Sequence, residues 1–232
     1  MTSRAGEEIR YQFGKTWFDW ILSRRARPLT ERLRPWVPVG CQIADVGSGT
    51  GHNAMVWRSE FGAAVDEFDV ADLHWVGAGP TIFDGQRFSV ADRTYQVVTV
   101  LFVLQYSSQV FHLLQEVRRI SADRVIVIQS TYRGRWGRLW LNVRGFLWGP
   151  VACTVARLAG VVQGNPRSLV SQRLYSRDEL RQLFLNVGLT VRHWEPEEWW
   201  GFQISRDLIV LEVNPINLRS PSSSPPAMKN GG

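Results

Sequence analysis

The sequence predicts an α/β fold in which helices cover both faces of a mainly parallel β-sheet. Three observations support this prediction. Short apolar runs alternate with segments of helical periodicity, an order typical of β-α-β units. A turn with three glycines directly follows the first apolar run. The composition, with 44% hydrophobic and 21% charged residues over 232 residues, suits a folded domain with a large core rather than a disordered chain.

Six segments are predicted as buried strands because each is short, largely apolar and bounded by turn-forming residues. They are Gln42–Val46, Ala64–Asp69, Tyr95–Phe102, Arg124–Gln129, Leu189–Trp194 and Leu208–Val213.

Helical periodicity predicts helices at Gly51–Phe61, Gln109–Ile120 and Ser176–Val187. The last begins with Ser176 and has Glu179 three residues later, the pattern of a capping box, and Gly188 follows it as a C-terminal glycine. Residues 1–40 are predicted to form a helical segment that precedes the sheet. Residues 214–232 are rich in proline, serine and glycine, and they are predicted to be a disordered tail.

The segment 131–173 is an insert that the alternating pattern does not need, and it is rich in tryptophan and arginine. We predict that it is helical. One interpretation is a lid over the carboxyl ends of the strands, where ligands bind in open α/β sheets. A second is a peripheral membrane element, with arginines at anionic head groups and tryptophans in the interface. A third is a packed helix pair with exposed arginines.

Charge and cysteine content limit the partners and the compartment. The formal net charge of +6 permits weak attraction to nucleic acid or anionic lipid but does not distinguish between them. Two cysteines cannot form a multi-bridge scaffold or a four-thiolate zinc site, and no His/Cys/Asp cluster has ligand spacing, so no metal is expected. The first twenty residues lack the apolar core of a signal peptide. We therefore expect a cytoplasmic protein, with membrane association as an alternative for the insert.

The glycine-rich turn is the clearest candidate for a ligand site. It runs from Asp45 through Gly47 and Gly49 to Gly51, between a predicted strand and a predicted helix. Glycine permits positive φ and close approach of a ligand, and the helix start supplies free N–H donors. The spacing is not the Gly-x-Gly-x-x-Gly of dinucleotide sites, and no P-loop lysine follows.

This turn resembles the first motif of the class I S-adenosylmethionine-dependent methyltransferases, which reads acidic-x-Gly-x-Gly-x-Gly. The resemblance covers about residues 40–213 and marks 41–213 as a methyltransferase domain. It implies a Rossmann-like, seven-stranded, mainly parallel sheet whose last strand is antiparallel. It also implies S-adenosyl-L-methionine as cofactor, with S-adenosyl-L-homocysteine as product. Cofactor contacts are implied for the turn residues Asp45, Gly47, Ser48, Gly49 and Gly51.

Other acids and apolar residues extend the candidate cofactor site. Asp69 ends the second strand roughly 20 residues after the turn, an interval that suits a carboxylate bound to ribose hydroxyls, with Asp66 as the alternative. The resemblance implies that Asp84, followed by Gly85, accepts the adenine amino group. It implies that Leu101 or a neighbouring residue packs on the adenine.

The expected reaction is methyl transfer to oxygen or carbon of a small, apolar or aromatic metabolite. Our candidates for the acceptor side, including a catalytic base, are His193, Tyr106 and Tyr132. No Asn/Asp-Pro-Pro-Tyr/Phe tetrapeptide follows Tyr95–Phe102, which argues against a nucleobase amine as acceptor and against a specific nucleic-acid partner. The alternatives are a cofactor-binding protein with lost or redirected chemistry, such as a cyclisation or rearrangement, and an RNA-modifying enzyme.

Overall fold

The computed structural model describes residues 20, 22–74, 76–143, 173–199 and 203–213. In chain order, these residues form α1 (22–33), β1 (Gln42–Val46), α2 (His52–Phe61), β2 (Ala64–Asp69), β3 (Thr81–Ile82), β4 (Tyr95–Leu101), α3 (Val110–Ile120), β5 (Ser121–Tyr132), α4 (134–143), β6 (Tyr175–Ser176), α5 (Arg177–Asn186), β7 (Leu189–Trp199) and β8 (Ile204–Val213).

The strands form one sheet in the order β3-β2-β1-β4-β5-β8-β7. Strands β1 to β5 are parallel to one another, whereas β8 is antiparallel to both of its neighbours, β5 and β7. The short β6 pairs in parallel with the last two residues of β5. The seven strands of this order confirm the prediction of a seven-stranded, mainly parallel sheet with an antiparallel last strand, and the short β6 adds an eighth strand beside β5.

The main differences from the predicted strands lie at their polar ends. Strand β5 spans Ser121–Tyr132 and is longer than the predicted Arg124–Gln129. Strand β7 continues to residue 199 and β8 begins at residue 204, so the antiparallel hairpin is longer than predicted at its turn end. The added residues of β7, among them Glu195 and Glu197, are exposed, so their pairing leaves no apolar pattern in the sequence. The two-residue strands β3 and β6 were not among the predicted segments.

Each face of the sheet has its own hydrophobic core. On one face α3 and α5 pack on the sheet through residues such as Leu114 and Phe184. On the other face α1 and α2 pack through Leu33, Trp57 and Phe61. Helices therefore cover both faces, as predicted.

The helix boundaries follow the signals that predicted them. Helix α5 begins after Ser176, whose side chain accepts from the Glu179 amide while the Glu179 carboxylate accepts from the Ser176 amide, completing the capping box. Helix α2 begins after Gly51, which is left-handed at φ 80° and makes no side-chain cap.

Several predicted segments extend beyond the described residues. Residues 1–19 and 214–232 lie outside them, and so does the insert from 144 to 172. The first part of the insert forms α4, where Leu141 is buried. Within the described part of the chain, no helix has the length and apolar character needed to cross a bilayer.

We expect Phe184→Ala to lower the free energy of unfolding by about 3–5 kcal/mol, because it leaves a cavity in the core between α5 and the sheet. The adjacent Leu185, 59% exposed on the same helix, is the matched control. Leu185→Ala should cost less than about 1 kcal/mol. Urea denaturation measures both values, and equal losses would contradict the packing described here.

Candidate active site

The carboxyl ends of β1, β2 and β4 border a cavity of about 620 Å³, which we call the turn cavity. Its size suits a small-molecule cofactor. Seven of the nine predicted cofactor residues line it: Gly47, Ser48, Gly49, Asp69, Asp84, Gly85 and Leu101.

The turn after β1 needs glycine for two different reasons. A Cβ on Gly47 would collide with the side chain of Val103, which packs directly against the turn. A Cβ on Gly49 would meet nothing within 4 Å, because this residue faces open space in the turn cavity. Both residues have positive φ, 74° and 58°. Gly47 therefore allows the turn to pack, and Gly49 leaves room for a ligand.

Gly51 is not among the residues that line the cavity. A Cβ at Gly51 would lie 2.6 Å from the carbonyl oxygen of Val76 and 3.3 Å from Glu67 Oε2. This glycine lets the start of α2 pack against the loop that follows β2. Helix packing therefore accounts for this glycine, and its cofactor contact stays a prediction.

Asp45 also lies behind the turn and does not line the cavity. Its side chain is only 1% exposed, and its Oδ1 accepts a hydrogen bond from Thr99 Oγ1 at 2.9 Å. Burial raises the pKa of Asp45 to about 7, and the nearby negative charges of Glu67 and Asp69 add to this shift. Among the described residues, Asp45 Oδ2 has no hydrogen-bond partner. The cofactor contact that the motif implied for Asp45 stays a prediction.

Asp69 connects the end of β2 to the glycine turn. Its Oδ2 accepts from the Gly49 amide at 2.9 Å, and its Oδ1 accepts from the Val70 amide at 2.7 Å. Asp66 is placed differently, because its Oδ2 accepts from the Tyr95 hydroxyl at 2.8 Å away from the cavity. Of the two acids considered for ribose binding, Asp69 is the one that reaches the cavity.

A cluster of polar side chains contacts Ser48 on the side away from the turn cavity. Ser48 Oγ lies 3.0 Å from His74 Nε2, which in turn lies 3.0 Å from Glu67 Oε2. Glu67 Oε1 accepts from Arg58 at 2.6 Å. His74 lies in the irregular loop after β2, and its side chain is buried behind the turn instead of lining the turn cavity.

Asp84 and Leu101 form other parts of the wall of the turn cavity. Asp84 is exposed, and its Oδ1 accepts from the amides of Gln86 and Arg87 at 2.8 and 3.0 Å. These backbone donors lower the pKa of Asp84, so its carboxylate is ionised at the cavity edge. Leu101, at the end of β4, is buried and offers an apolar surface.

A second cavity of about 450 Å³ adjoins the turn cavity. The two share Arg25, Phe102 and Tyr106 as lining residues. Phe102 has a positive φ of 61°, unusual for a residue with a bulky side chain, and its amide donates to Ile128 O at 2.7 Å. The sequence interpretation did not select Phe102, because backbone strain has no sequence signal at a phenylalanine.

The three predicted acceptor-side residues lie in different places. Tyr106, 40% exposed, lines both the turn cavity and the second cavity. Tyr132 lines a third cavity of about 340 Å³ and donates to Glu179 Oε2 at 3.3 Å. His193 lines none of these three cavities. It stacks on Trp36 with ring centroids 4.7 Å apart, and it lies on the edge strand β7, where it pairs with Val210 of β8.

The described ranges contain no group of three or more His, Cys, Asp or Glu side chains arranged to hold a metal ion.

A family model described as "Methyltransferase domain" matches residues 18–193, which is most of the chain. The chain belongs to this methyltransferase family. It is an S-adenosylmethionine-dependent methyltransferase with a Rossmann-like fold. No curated protein sequence matches it.

Solved structures with the same fold differ widely in sequence. A methyltransferase from Methanosarcina mazei is 14% identical with a TM-score of 0.54, and the match covers 78% of this chain and 95% of that one. A geranyl diphosphate C-methyltransferase from Streptomyces coelicolor is 11% identical, with a TM-score of 0.57 and coverage of 82% and 78%. The [4+2]-cyclase SpnF is 12% identical, with a TM-score of 0.54 and coverage of 82% and 80%.

The turn cavity fits S-adenosylmethionine, the cofactor of the family. Gly49 leaves open space beside the turn, and the Asp69 carboxylate offers acceptor oxygens for hydroxyl groups. Leu101 provides an apolar surface for a flat ring.

We expect Gly49→Ala to weaken S-adenosylhomocysteine binding by about tenfold or more, about 1.4 kcal/mol, because the added methyl occupies ligand space. Gly62→Ala is the matched control, since Gly62 has nearly the same φ of 60° and open space, but lies at the other end of α2. Both changes should cost about 1–2 kcal/mol of stability from the left-handed backbone. Isothermal titration calorimetry measures the affinities, and equal binding by both variants would contradict the role given to Gly49.

We expect the burial of Asp45 to make stability depend on pH. Burial raises its pKa from an ordinary value of 3.8 to about 7 in the fold, so the folded protein loses stability as pH rises from about 4 to 7. Asp45→Asn removes this loss. From pH 5 to pH 8, the unfolding free energy of the variant relative to wild type should rise by about 2–3 kcal/mol. Chemical denaturation at both pH values tests this. A difference that stays constant, or a variant that loses stability relative to wild type as pH rises, would exclude the raised pKa.

Proposed function

We propose that the enzyme transfers the methyl group of S-adenosylmethionine to oxygen or carbon of a small acceptor with an apolar or aromatic body, bound in the second cavity. The observation that carries this proposal is that the two cavities are adjacent. Arg25, Phe102 and Tyr106 line both, so an acceptor in the second cavity lies next to the cofactor site.

S-adenosylmethionine, when bound, supplies an activated methyl group with an excellent leaving group. The protein then needs chiefly to align the acceptor and to exclude water. The carboxylate of Asp69 holds hydroxyl groups of the cofactor, and its bond to the Gly49 amide fixes the turn against which the cofactor lies. Leu101 excludes water from the apolar part of the cavity.

Among the three acceptor-side candidates, the placement of Tyr106 supports a direct role. Its side chain lies where the two cavities meet, so its hydroxyl can donate a hydrogen bond to an acceptor and orient it. Tyr132 faces a cavity that shares only Ile204 and Ser205 with the second one, and we assign it no contact with the reacting atoms. His193 is left out of the proposed mechanism, because its ring packs on Trp36 instead of lining a cavity.

The described part of the insert supports its interpretation as a lid. Leu141 of α4 is buried and forms part of the second cavity, as a substrate-covering element would. The exposed Trp136 and Leu139 on the same helix are compatible with peripheral membrane contact, which we keep as the alternative. A cytoplasmic location remains part of the proposal and is supported by the low cysteine content alone.

Two other functions remain as alternatives. One neighbour in fold is a cyclase, which is compatible with a protein that binds the cofactor and redirects its chemistry. The net charge of +6 is the only support for an RNA acceptor. Binding to RNA that falls steeply with salt would favour that alternative, whereas cofactor binding without any S-adenosylhomocysteine formed would favour the first.

We expect the enzyme to form S-adenosylhomocysteine and a methylated product, heavier by about 14 Da, with acceptors from a panel of phenols, carboxylic acids and prenyl compounds.

Asp69→Ala should weaken cofactor binding by about 1–3 kcal/mol through the lost hydrogen bonds. Asp66→Ala is the matched control on the same strand, because its carboxylate bonds to Tyr95 away from the cavity. Calorimetry and mass spectrometry measure the outcomes. Unchanged affinity in a folded Asp69→Ala variant would refute the ribose assignment.

A further inference from the structure

The loop 70–80, between β2 and β3, forms one side of the turn cavity. Leu73 of this loop lines the cavity, and Ser48 of the glycine turn lines it from another side. The two segments belong to different parts of the chain, and a cofactor fits between them only at a fixed spacing. The backbone hydrogen bond that joins them, from the Val76 amide to Thr50 O, is long at 3.4 Å.

The side chain of His74 supplies a second connection between the loop and the turn. It is only 4% exposed, and its Nε2 lies 3.0 Å from Ser48 Oγ. The amide of His74 donates to Asp72 Oδ1 at 3.0 Å, which fixes the local turn of the loop that presents the ring. A Cβ at Gly51 would lie 3.3 Å from His74 Cε1, so the ring also packs closely on the start of α2.

The surroundings of the ring determine which of its nitrogens carries a proton. Glu67 Oε2 lies 3.0 Å from His74 Nε2 and has no hydrogen-bond partner in the described part of the chain. A lone pair on Nε2 would face that carboxylate oxygen and repel it, so Nε2 carries a proton. The hydrogen bond with Ser48 therefore runs from His74 Nε2 to Ser48 Oγ. His74 Nδ1 is buried without a partner among the described residues, which suits a nitrogen that carries no proton.

Glu67 is itself held in place by the helix beside it. Its side chain is 5% exposed, and its Oε1 accepts a bond of 2.6 Å from Arg58 Nη2 of α2. The same nitrogen of Arg58 donates to Val65 O at 2.6 Å. Because α2 and β2 fix the carboxylate, its attraction for the Nε2 proton holds the His74 ring against Ser48.

We propose that His74 is a positioning residue for the cofactor: through Ser48 it holds the loop 70–80 at the spacing from the glycine turn that S-adenosylmethionine requires. His74 does not line the turn cavity, so it acts through Ser48 and not by contact with the ligand. The inference needs the cofactor of the family but not the acceptor proposed above.

The test is the affinity for S-adenosylhomocysteine, measured by isothermal titration calorimetry. His74→Leu removes the donor to Ser48 and should weaken binding by about tenfold. His74→Gln keeps an amide nitrogen able to donate to Ser48 and should bind within about threefold of wild type. The control is His112→Leu, an exposed histidine of α3 outside the cavity lining, with a change below about twofold. Equal losses in His74→Leu and His74→Gln would overturn the proposal.

A double-mutant cycle tests whether His74 acts through Ser48. Ser48→Ala removes the acceptor of the hydrogen bond. In that background, His74→Leu should weaken S-adenosylhomocysteine binding by less than about threefold further, because the interaction is already lost. A further loss of about tenfold would show that His74 affects the cofactor by another route, and it would contradict the proposal.

A measurement on the unmodified protein keeps the proposal testable should the leucine variant fail to fold. The ¹⁵N chemical shifts of the His74 ring report which nitrogen carries a proton. We expect a protonated Nε2 in the wild-type protein, both free and saturated with S-adenosylhomocysteine. An Nε2 without a proton could not donate to Ser48, and this result would overturn the proposal without any variant.

Discussion

The site depends on one steric constraint, the contact between the backbone of Gly47 and the side chain of Val103. A Cβ at Gly47 would collide with that valine, so the turn after β1 can lie against the segment after β4 only because this residue is glycine. The Asp69 carboxylate then binds the Gly49 amide and joins the end of β2 to the same turn. Three neighbouring strand ends thereby acquire fixed relative positions, and the turn cavity is the space left above them.

The electrostatics of the site follow from the same packing. Asp45, Glu67 and Asp69 are all buried around the turn, and only part of their charge is compensated. Arg58 and His74 contact Glu67, and Thr99 donates to Asp45. Because like charges oppose ionisation, burial and the two neighbouring acids together raise the pKa of Asp45. These acids create a negative electrostatic potential behind the wall of the turn cavity, which suits the positive charge of S-adenosylmethionine.

The sequence predicted the fold well because buried strands and helix caps have local signals. Strand β1 and the Ser176 capping box are examples, whereas the exposed end of β7 has no apolar pattern and was missed. The glycine motif indicated the cavity, but spacing cannot distinguish Gly49, which faces the ligand space, from Gly51, which serves helix packing. Arg25 and Arg206 lie far apart in sequence, and only the packing of α1 beside β8 brings them to one ring.

The two cavities differ in charge, and this difference bears on how the reaction is organised. Acids lie in and behind the wall of the turn cavity, whereas arginines line the second, and Phe102 lies in the wall of both. A cationic donor would be favoured in the turn cavity and disfavoured in the second. Such a difference holds the donor on one side of Phe102 before any base acts, which is consistent with a reaction that needs alignment more than proton transfer. The strained backbone of Phe102, with its positive φ, holds the ring at this boundary, where a residue in ordinary strand geometry would point elsewhere.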